Sequence, residues 1–152
     1  MRLLIQRVSE ASVTIENEIQ SSIKNGLLVL VGIENEDTNI DIVYLVKKTV
    51  NLRIFDDENG VMNKSVKDVD GEVLVVSQFT LHANTKKGNR PSYIRAAKPD
   101  VSIPLYNEFC HTLSEHLSKD IQTGEFGADM KVKLINDGPV TITINSRELP
   151  RK

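Results

Sequence analysis

Two short segments combine hydroxyl, amide, glycine and proline groups in ways that could serve bond cleavage. Ser77-Gln78-Phe79-Thr80-Leu81 follows the apolar run Val73-Leu74-Val75-Val76, so its polar groups stand at the end of a strand, where open α/β sheets commonly place reacting groups. Spacing leaves a second reading open, in which Ser77 and Thr80 only hydrogen-bond the backbone as the strand ends. Asn136-Asp137-Gly138-Pro139-Val140-Thr141 reads as a turn between two strands, because Asn, Asp, Gly and Pro each favour turns. Between Ala83 and Pro99 lie five bases (Lys86, Lys87, Arg90, Arg95 and Lys98) and no acid. This stretch carries +5, and the rest of the chain, within a total of −2, carries −7. It is either a solvated loop or a local cradle for phosphates on an otherwise acidic protein.

Other chemistries find less support. His111 and His116 share a predicted helix at i and i+5 and so point in different directions. With His82 they lack any Cys, Asp or Glu at a spacing that would complete a zinc site, so no metal is expected. Cys110, beside Phe109 on the same helix, reads as a small buried or half-buried hydrophobe. No glycine cluster of the Walker or dinucleotide type follows a strand, and Asp56-Asp57-Glu58 reads as a solvated hairpin tip.

These segments need a frame to position them. The first third reads as strands, with apolar residues at Leu3 and Ile5, at Val13 and Ile15, and in the run Leu27 to Ile33. Glu16-Asn17-Glu18 supplies a turn between the first two and Lys24-Asn25-Gly26 one before the third. From Thr38 the period changes to that of a helix. Ile42, Leu45, Val46 and Val50 share one face, with Thr38 as N-cap and Asp41 as its N3 partner. Arg53-Ile54-Phe55, the tip Asp56 to Gly60 and the residues from Val61 suggest a hairpin, and Asp68 to Gly71 another turn. Glu72 to Phe79 reads as a central strand. A second helix is expected to start around Ser102 to Pro104, with Leu105, Phe109, Leu113 and Leu117 as its buried stripe. Met130, Val132 and Leu134 begin a strand that turns at Asn136 to Pro139 into Val140 to Ile144. The expected fold is a single α/β domain over residues 1–152, with mixed β-sheets and two main helices packed on one face in three α/β/β layers.

Size and composition agree. The chain has 152 residues, 39% hydrophobic and 26% charged, with 19 Lys+Arg against 21 Asp+Glu. That is enough for one buried core and excludes a disordered polyelectrolyte. The longest unbroken apolar run, Leu27 to Val31, is far too short to span a membrane. One cysteine and an N-terminal segment without a signal-like apolar core point to the cytoplasm. Seven aromatics, none of them Trp, make a base-stacking platform improbable, and mild acidity argues against tight non-specific nucleic-acid binding.

At the two opening segments the sequence resembles the D-aminoacyl-tRNA deacylases. Both signatures, Ser77-Gln78-Phe79-Thr80-Leu81 and Asn136-Asp137-Gly138-Pro139-Val140-Thr141, occur in order in a chain of family length. Similar context occurs at Met1 to Ser12 including Arg7, Gly26 to Gly32, Asn51 to Phe55, Ser65 to Asp68 and Phe126-Gly127-Ala128-Asp129-Met130. The resemblance implies a cytoplasmic homodimer, with active sites at the subunit interface, that needs no cofactor. It implies hydrolysis of the ester joining a D-amino acid, or glycine, to the terminal adenosine of tRNA, including glycine mischarged on tRNA(Ala). Ser77, Gln78, Phe79 and Thr80 would be catalytic. Gly138, Pro139, Arg7, Phe126 and Met130 would bind the substrate, and Lys86, Lys87 and Arg90 the tRNA. Gly138-Pro139 would be a cis unit that enters the partner's site and aims two carbonyl oxygens at the substrate's α-ammonium, braced by Arg7.

On this reading an L side chain is excluded by a closed wall while a D side chain faces solvent. Backbone N–H groups near Gln78 and Phe79 would stabilise the oxyanion. Thr80 has no evident His and carboxylate partners beyond His82, so it would position substrate or water while the vicinal ribose hydroxyl assists. His82, where relatives often carry an aromatic, and Asn89-Arg90-Pro91-Ser92, in place of a more basic pair, depart from the family pattern. Two alternatives stand beside this reading. One is the sister family that removes L-alanine from tRNA through a trans Gly-Pro unit; the other is a non-catalytic nucleic-acid-binding module using the basic loop.

Overall fold

In the computed structural model, which describes residues 1–148, the elements follow the alternation expected from the sequence. The last four residues of the expected 1–152 domain lie outside the described residues. In chain order the elements are β1 (Arg2–Ile15), β2 (Glu18–Ile23), β3 (Gly26–Gly32), α1 (Asn39–Asn51), β4 (Phe55–Asp56), β5 (Met62–Lys64), β6 (Glu72–Ser77), α2 (Pro99–Leu117), β7 (Gln122–Thr123) and β8 (Lys131–Asn145). Short 3-10 turns occupy Phe79–His82 and Ser146–Glu148.

The main sheet has the order β2-β1-β3-β6-β7, with β8 also paired to β1. β1 is long enough to serve three partners. Its first half pairs antiparallel with β3, its second half with β2, and β8 runs antiparallel along nearly its whole length. β3, β6 and β7 are mutually parallel, so β3 and β6 end at the same side of the sheet.

Each sheet face buries its own core. On one face Ile42, Leu45, Val46 and Val50 of α1 and Tyr106, Phe109 and Leu113 of α2 pack on Leu3, Ile5, Leu27, Val29, Val31, Val73 and Val75. On the other, Leu28, Leu74 and Val76 are covered by Val8, Ala11, Val13 and Ile23 as β1 and β2 curl over the sheet. The expected α/β/β layering follows from this curl. One surplus residue makes it possible: Val8 pairs with Asn136 and Glu10 with Ile135, so exposed Ser9 is extra. Such a bulge shifts the side-chain alternation by one, which turns Ala11 and Val13 onto the face opposite Leu3 and Ile5.

α1 forms as expected, with the reciprocal Thr38–Asp41 capping box and Ile42, Leu45, Val46 and Val50 buried. Three expectations are corrected. Leu3, Ile5, Val13 and Ile15 belong to one strand, and the turn at Glu16 and Asn17 follows all four, with both residues at positive φ (50° and 64°) as a two-residue hairpin turn requires. α2 begins at Pro99, which takes the first helical position, and Pro104 lies inside the helix. Its buried face is consequently Ser102, Tyr106, Phe109 and Leu113, while Leu105 and Leu117 are half-buried. Finally, Asn136 to Pro139 does not reverse the chain. β8 continues through it, placing four residues between Asn136 and Thr141 where β1 places only Arg7 between Val8 and Gln6. The turn-forming residues bulge out of an edge strand. Among the described residues no helix is long and apolar enough to cross a membrane.

Candidate active site

The parallel strands β3 and β6 end beside each other at a cleft of about 600 Å³. Its floor is Val31, Ile33, Val76, Ser77, Gln78 and Phe79. One wall runs from Tyr93 through Ala96 and Ala97 to Pro99 and Ser102 at the start of α2. The other is the segment Phe126 to Met130 with Val132. A parallel pair leaves such a crevice at its carboxyl ends because the chain departs from both strands there.

The turn Phe79–His82 is seated by one glycine. A Cβ at Gly32 would lie 3.0 Å from the Gln78 main-chain oxygen, 2.9 Å from Leu81 Cβ and 3.0 Å from His82 Cδ2. The close approach of the turn to β3 therefore requires a residue without a side chain. The Gln78 N–H donates to the Val31 oxygen at 2.8 Å, which extends the β3–β6 ladder by one residue and removes that donor from the site. The next main-chain donors along the chain are those of Phe79 and Thr80. Their N–H groups open the 3-10 turn and have no acceptor within it.

Phe79 is exposed and meets Tyr93 edge-to-face with ring centroids 5.1 Å apart. Phe126 makes the same kind of contact with Tyr106, at 5.6 Å, and the Tyr106 hydroxyl donates to the Val75 oxygen at 3.1 Å. Burial raises the Tyr106 phenol far above its usual range, so it is a fixed donor under the cleft. Aromatic contacts thus hold one wall to the floor and the other to α2.

Of the residues singled out in the sequence, the cleft unites Ser77, Gln78 and Phe79 with Phe126 and Met130. Thr80 is half-buried at the rim and does not line the cleft. Its hydroxyl accepts a hydrogen bond from the Gln78 side-chain amide. Lys86, Lys87 and Arg90 are exposed on the loop that the Asn84–Ser92 bridge closes. Gly138, Pro139 and Arg7 form a separate group away from this cleft. The Gly138-Pro139 peptide is cis, and both residues are exposed. Arg7 lies beneath them, its Nε donating to the Asp137 oxygen at 2.7 Å and its Nη1 to the Ile54 oxygen at 2.6 Å, with Asp56 at 3.5 Å.

Asn136 closes the same protrusion from the side. Its Oδ1 accepts from the Val140 N–H at 2.8 Å and its Nδ2 donates to the Val140 oxygen at 3.2 Å. The side chain thereby replaces the ladder bonds that the bulge removes. Sequence reading missed Asn136 as a brace, and it missed Tyr93, Ser102 and the Ala96-Ala97 wall. Tyr93 alone left a signal, an aromatic within a basic stretch of an aromatic-poor chain.

Among the described residues the cleft lining contains no His, Cys, Lys, Arg or Glu, and its one carboxylate, Asp129, is paired with Lys131 at 2.9 Å. No acid–base dyad converges on the cleft. What it offers is main-chain N–H groups, the hydroxyls of Ser77 and Ser102, and apolar walls. That equipment suits stabilisation of an oxyanion on a substrate that brings its own proton-transfer group.

Comparison with known proteins agrees with this geometry. The model of the D-Tyr-tRNA(Tyr) deacylase family matches residues 4–145. A D-aminoacyl-tRNA deacylase of Bacteroides fragilis is 65% identical over 147 residues, covering 97% of this chain and 98% of that protein. One from Flavobacterium johnsoniae is 63% identical over the same shares. Among solved structures, a c-Myc DNA unwinding element binding protein superposes with a TM-score of 0.90 at 42% identity, covering 95% of this chain and 98% of that one. A probable eukaryotic D-amino acid tRNA deacylase gives 0.82 at 17%, a likeness of fold, covering 94% and 97%. Fold and cleft thus define an α/β protein equipped for acyl hydrolysis. The chain belongs to the D-Tyr-tRNA(Tyr) deacylase family.

Proposed function

We propose that the protein hydrolyses the ester of D-aminoacyl-tRNA, releasing the free D-amino acid and tRNA, and spares the L-enantiomers. The observation that carries this reading is the turn after β6. There Phe79 and Thr80 present N–H groups without an acceptor in their own turn, beside a cleft whose lining supplies no general base. Water attacks the ester carbonyl, and the N–H groups receive the oxyanion, a contribution of roughly 3 to 4 kcal/mol per donor in hydrolases of known energetics. The proton lost by the water reaches the departing ribose oxygen through the vicinal hydroxyl of the terminal adenosine. Ser77 and Gln78 orient the substrate, and Phe126 and Met130 wall it in.

Handedness comes from Gly138 and Pro139. Their protrusion is exposed and outside the cleft of its own chain, which leaves it free to enter the cleft of a second copy; there its two carbonyl oxygens fix the substrate's α-ammonium. The functional unit is a homodimer with composite sites. Lys86, Lys87 and Arg90 contact acceptor-stem phosphates, glycyl-tRNA(Ala) is a further substrate because glycine has no side chain to reject, and the cytoplasm is the compartment.

Deacylation of paired D- and L-tyrosyl-tRNA tests this. Release from the D form alone is expected; release from neither, or from the L form, overturns it. A second reading, a DNA-binding module, draws on the 42% identity to the DNA unwinding element binding protein. Tight, salt-sensitive DNA binding without ester cleavage would favour it.

A further inference from the structure

The basic stretch from Ala83 to Pro99 does not present all its cations alike. Arg95 turns inward, its Nη2 lying 2.6 Å from Oε1 of Glu34, whose side chain is 4% exposed. The carboxylate also meets Arg147 Nε at 2.9 Å from Oε2 and His82 Nδ1 at 3.5 Å from Oε1. These partners come from separate segments: the loop carrying Tyr93, the turn after β8, and the end of the Phe79–His82 turn. The backbone repeats the connection. Glu34 bridges to Ala96, and the Ala97 N–H donates to the Ile33 oxygen at 2.9 Å, with Ile33, Ala96 and Ala97 all lining the cleft. The Glu34 N–H is itself held by Asp37 Oδ2 at 2.7 Å.

We infer that Glu34 and Arg95 form a clamp that positions the cleft for deacylation, and that Arg95 is not a phosphate contact. A buried carboxylate is costly unless paired. Here it is paired to the loop that forms one wall and lies against the turn that supplies the oxyanion donors. With the clamp closed, Tyr93 stays against Phe79 and the wall keeps its distance from the floor. With it open, the loop is held to β3's end only by its main-chain contacts with Ile33 and Glu34 and the donors lose their aim, a displacement of the kind that lowers catalysis more than binding. The inference rests on the deacylase reading.

The test compares wild type with Glu34→Gln, Arg95→Met, their combination and Arg95→Lys. It measures kcat and KM for D-tyrosyl-tRNA, the salt dependence of KM, and the ring-to-ring NMR contact between Phe79 and Tyr93. The expected result is a loss in kcat of about tenfold for either single change, with KM within about twofold. The double variant is expected to be no worse than the poorer single one, as residues acting as one unit behave. Arg95→Lys restores most of the rate, the salt slope is unchanged, and the Phe79–Tyr93 contact weakens in both single variants. If Glu34→Gln fails to fold, Arg95→Met on the half-exposed side carries the test. An Arg95→Met enzyme with normal kcat, raised KM and a flatter salt slope is a phosphate-contact loss and overturns the clamp, as do multiplying losses in the double variant. A wild type that leaves D-tyrosyl-tRNA intact defeats the deacylase reading instead, and the Phe79–Tyr93 contact still decides the clamp.

Discussion

Arg7 and Asp137 are joined by a 2.7 Å hydrogen bond from guanidinium Nε to main-chain oxygen, at the point where β1 and β8 fall out of register. The bond converts a defect of pairing into a defined protrusion. The same guanidinium reaches the Ile54 oxygen, so one buried side chain ties the protrusion to the segment after α1. Replacing Arg7 by Ala leaves the Ile54 oxygen without its charged donor, and a loss of about 2 kcal/mol is expected in denaturant unfolding. Arg7→Lys keeps the charge but not the fork, and should recover less than half of that loss. In both variants deacylation should fall more than stability. Normal rates with a displaced Asp137 would separate the protrusion from the reaction.

The Thr80 hydroxyl accepts a hydrogen bond from the Gln78 side-chain amide, and among the described residues no imidazole or carboxylate is hydrogen-bonded to it. An unactivated alcohol is a poor nucleophile. Thr80→Ala is expected to retain measurable turnover, within about tenfold of wild type, while tRNA ending in 2′-deoxyadenosine is cleaved poorly. Complete loss in the variant together with normal cleavage of the deoxy substrate would assign the chemistry to Thr80.

Gly32→Ala probes the seat of the Phe79–His82 turn. The new methyl would meet the Gln78 oxygen and the His82 ring at 3.0 Å, so the turn must shift by a few tenths of an ångström. A drop in kcat of about tenfold is expected, with stability reduced by about 1 to 3 kcal/mol, as overpacking elsewhere costs. A variant that keeps full activity would show that the turn tolerates displacement.

Burial lowers the pKa of His82 below the ordinary histidine value, against the opposing pull of Glu34 and with Arg2 and the Met1 amine adding to the depression. The folded state therefore binds its proton less readily than the unfolded chain. Stability from this group is full above the unfolded value of about 6.5 and declines as the pH falls from there through the folded pKa. Neither ring nitrogen has a hydrogen-bond partner, so His82→Phe should be near neutral, within about 1 kcal/mol, at pH 7.5. It should also lose less stability than wild type between pH 6.5 and 5. Unfolding curves at the three pH values check this, and parallel losses in both proteins would refute it.

How much of this was legible depended on whether a signal was local. The Thr38–Asp41 capping box and the spacing of Ile42, Leu45, Val46 and Val50 are written within a few residues, and α1 formed as read. Pro104 gave a false helix start because Pro99, five residues earlier, carries the same preference for the first turn. Asn136 to Pro139 misled for a different reason. Its turn chemistry is real, but whether a turn reverses the chain is decided by the strand alongside, here β1 with Arg7. The strand-end motif was legible from its place after an apolar strand and Phe126 with Met130 through resemblance; Ser77, Gln78, Phe79, Phe126 and Met130 lie in one cleft, and Thr80 stands outside its lining. The Tyr93 to Ser102 wall and the buried Glu34 depend on contacts between distant segments, which no local pattern encodes.

Ser9 has a consequence for how this chain can change. Removing that one residue would restore plain alternation from Val8, keeping Ala11 and Val13 on the face of the second core but abolishing the bulge that bends β1 over the sheet. Substitution along β1 is felt site by site, whereas a change in its count is felt along the whole second half of the strand. Length, more than identity, is what this strand must inherit unaltered.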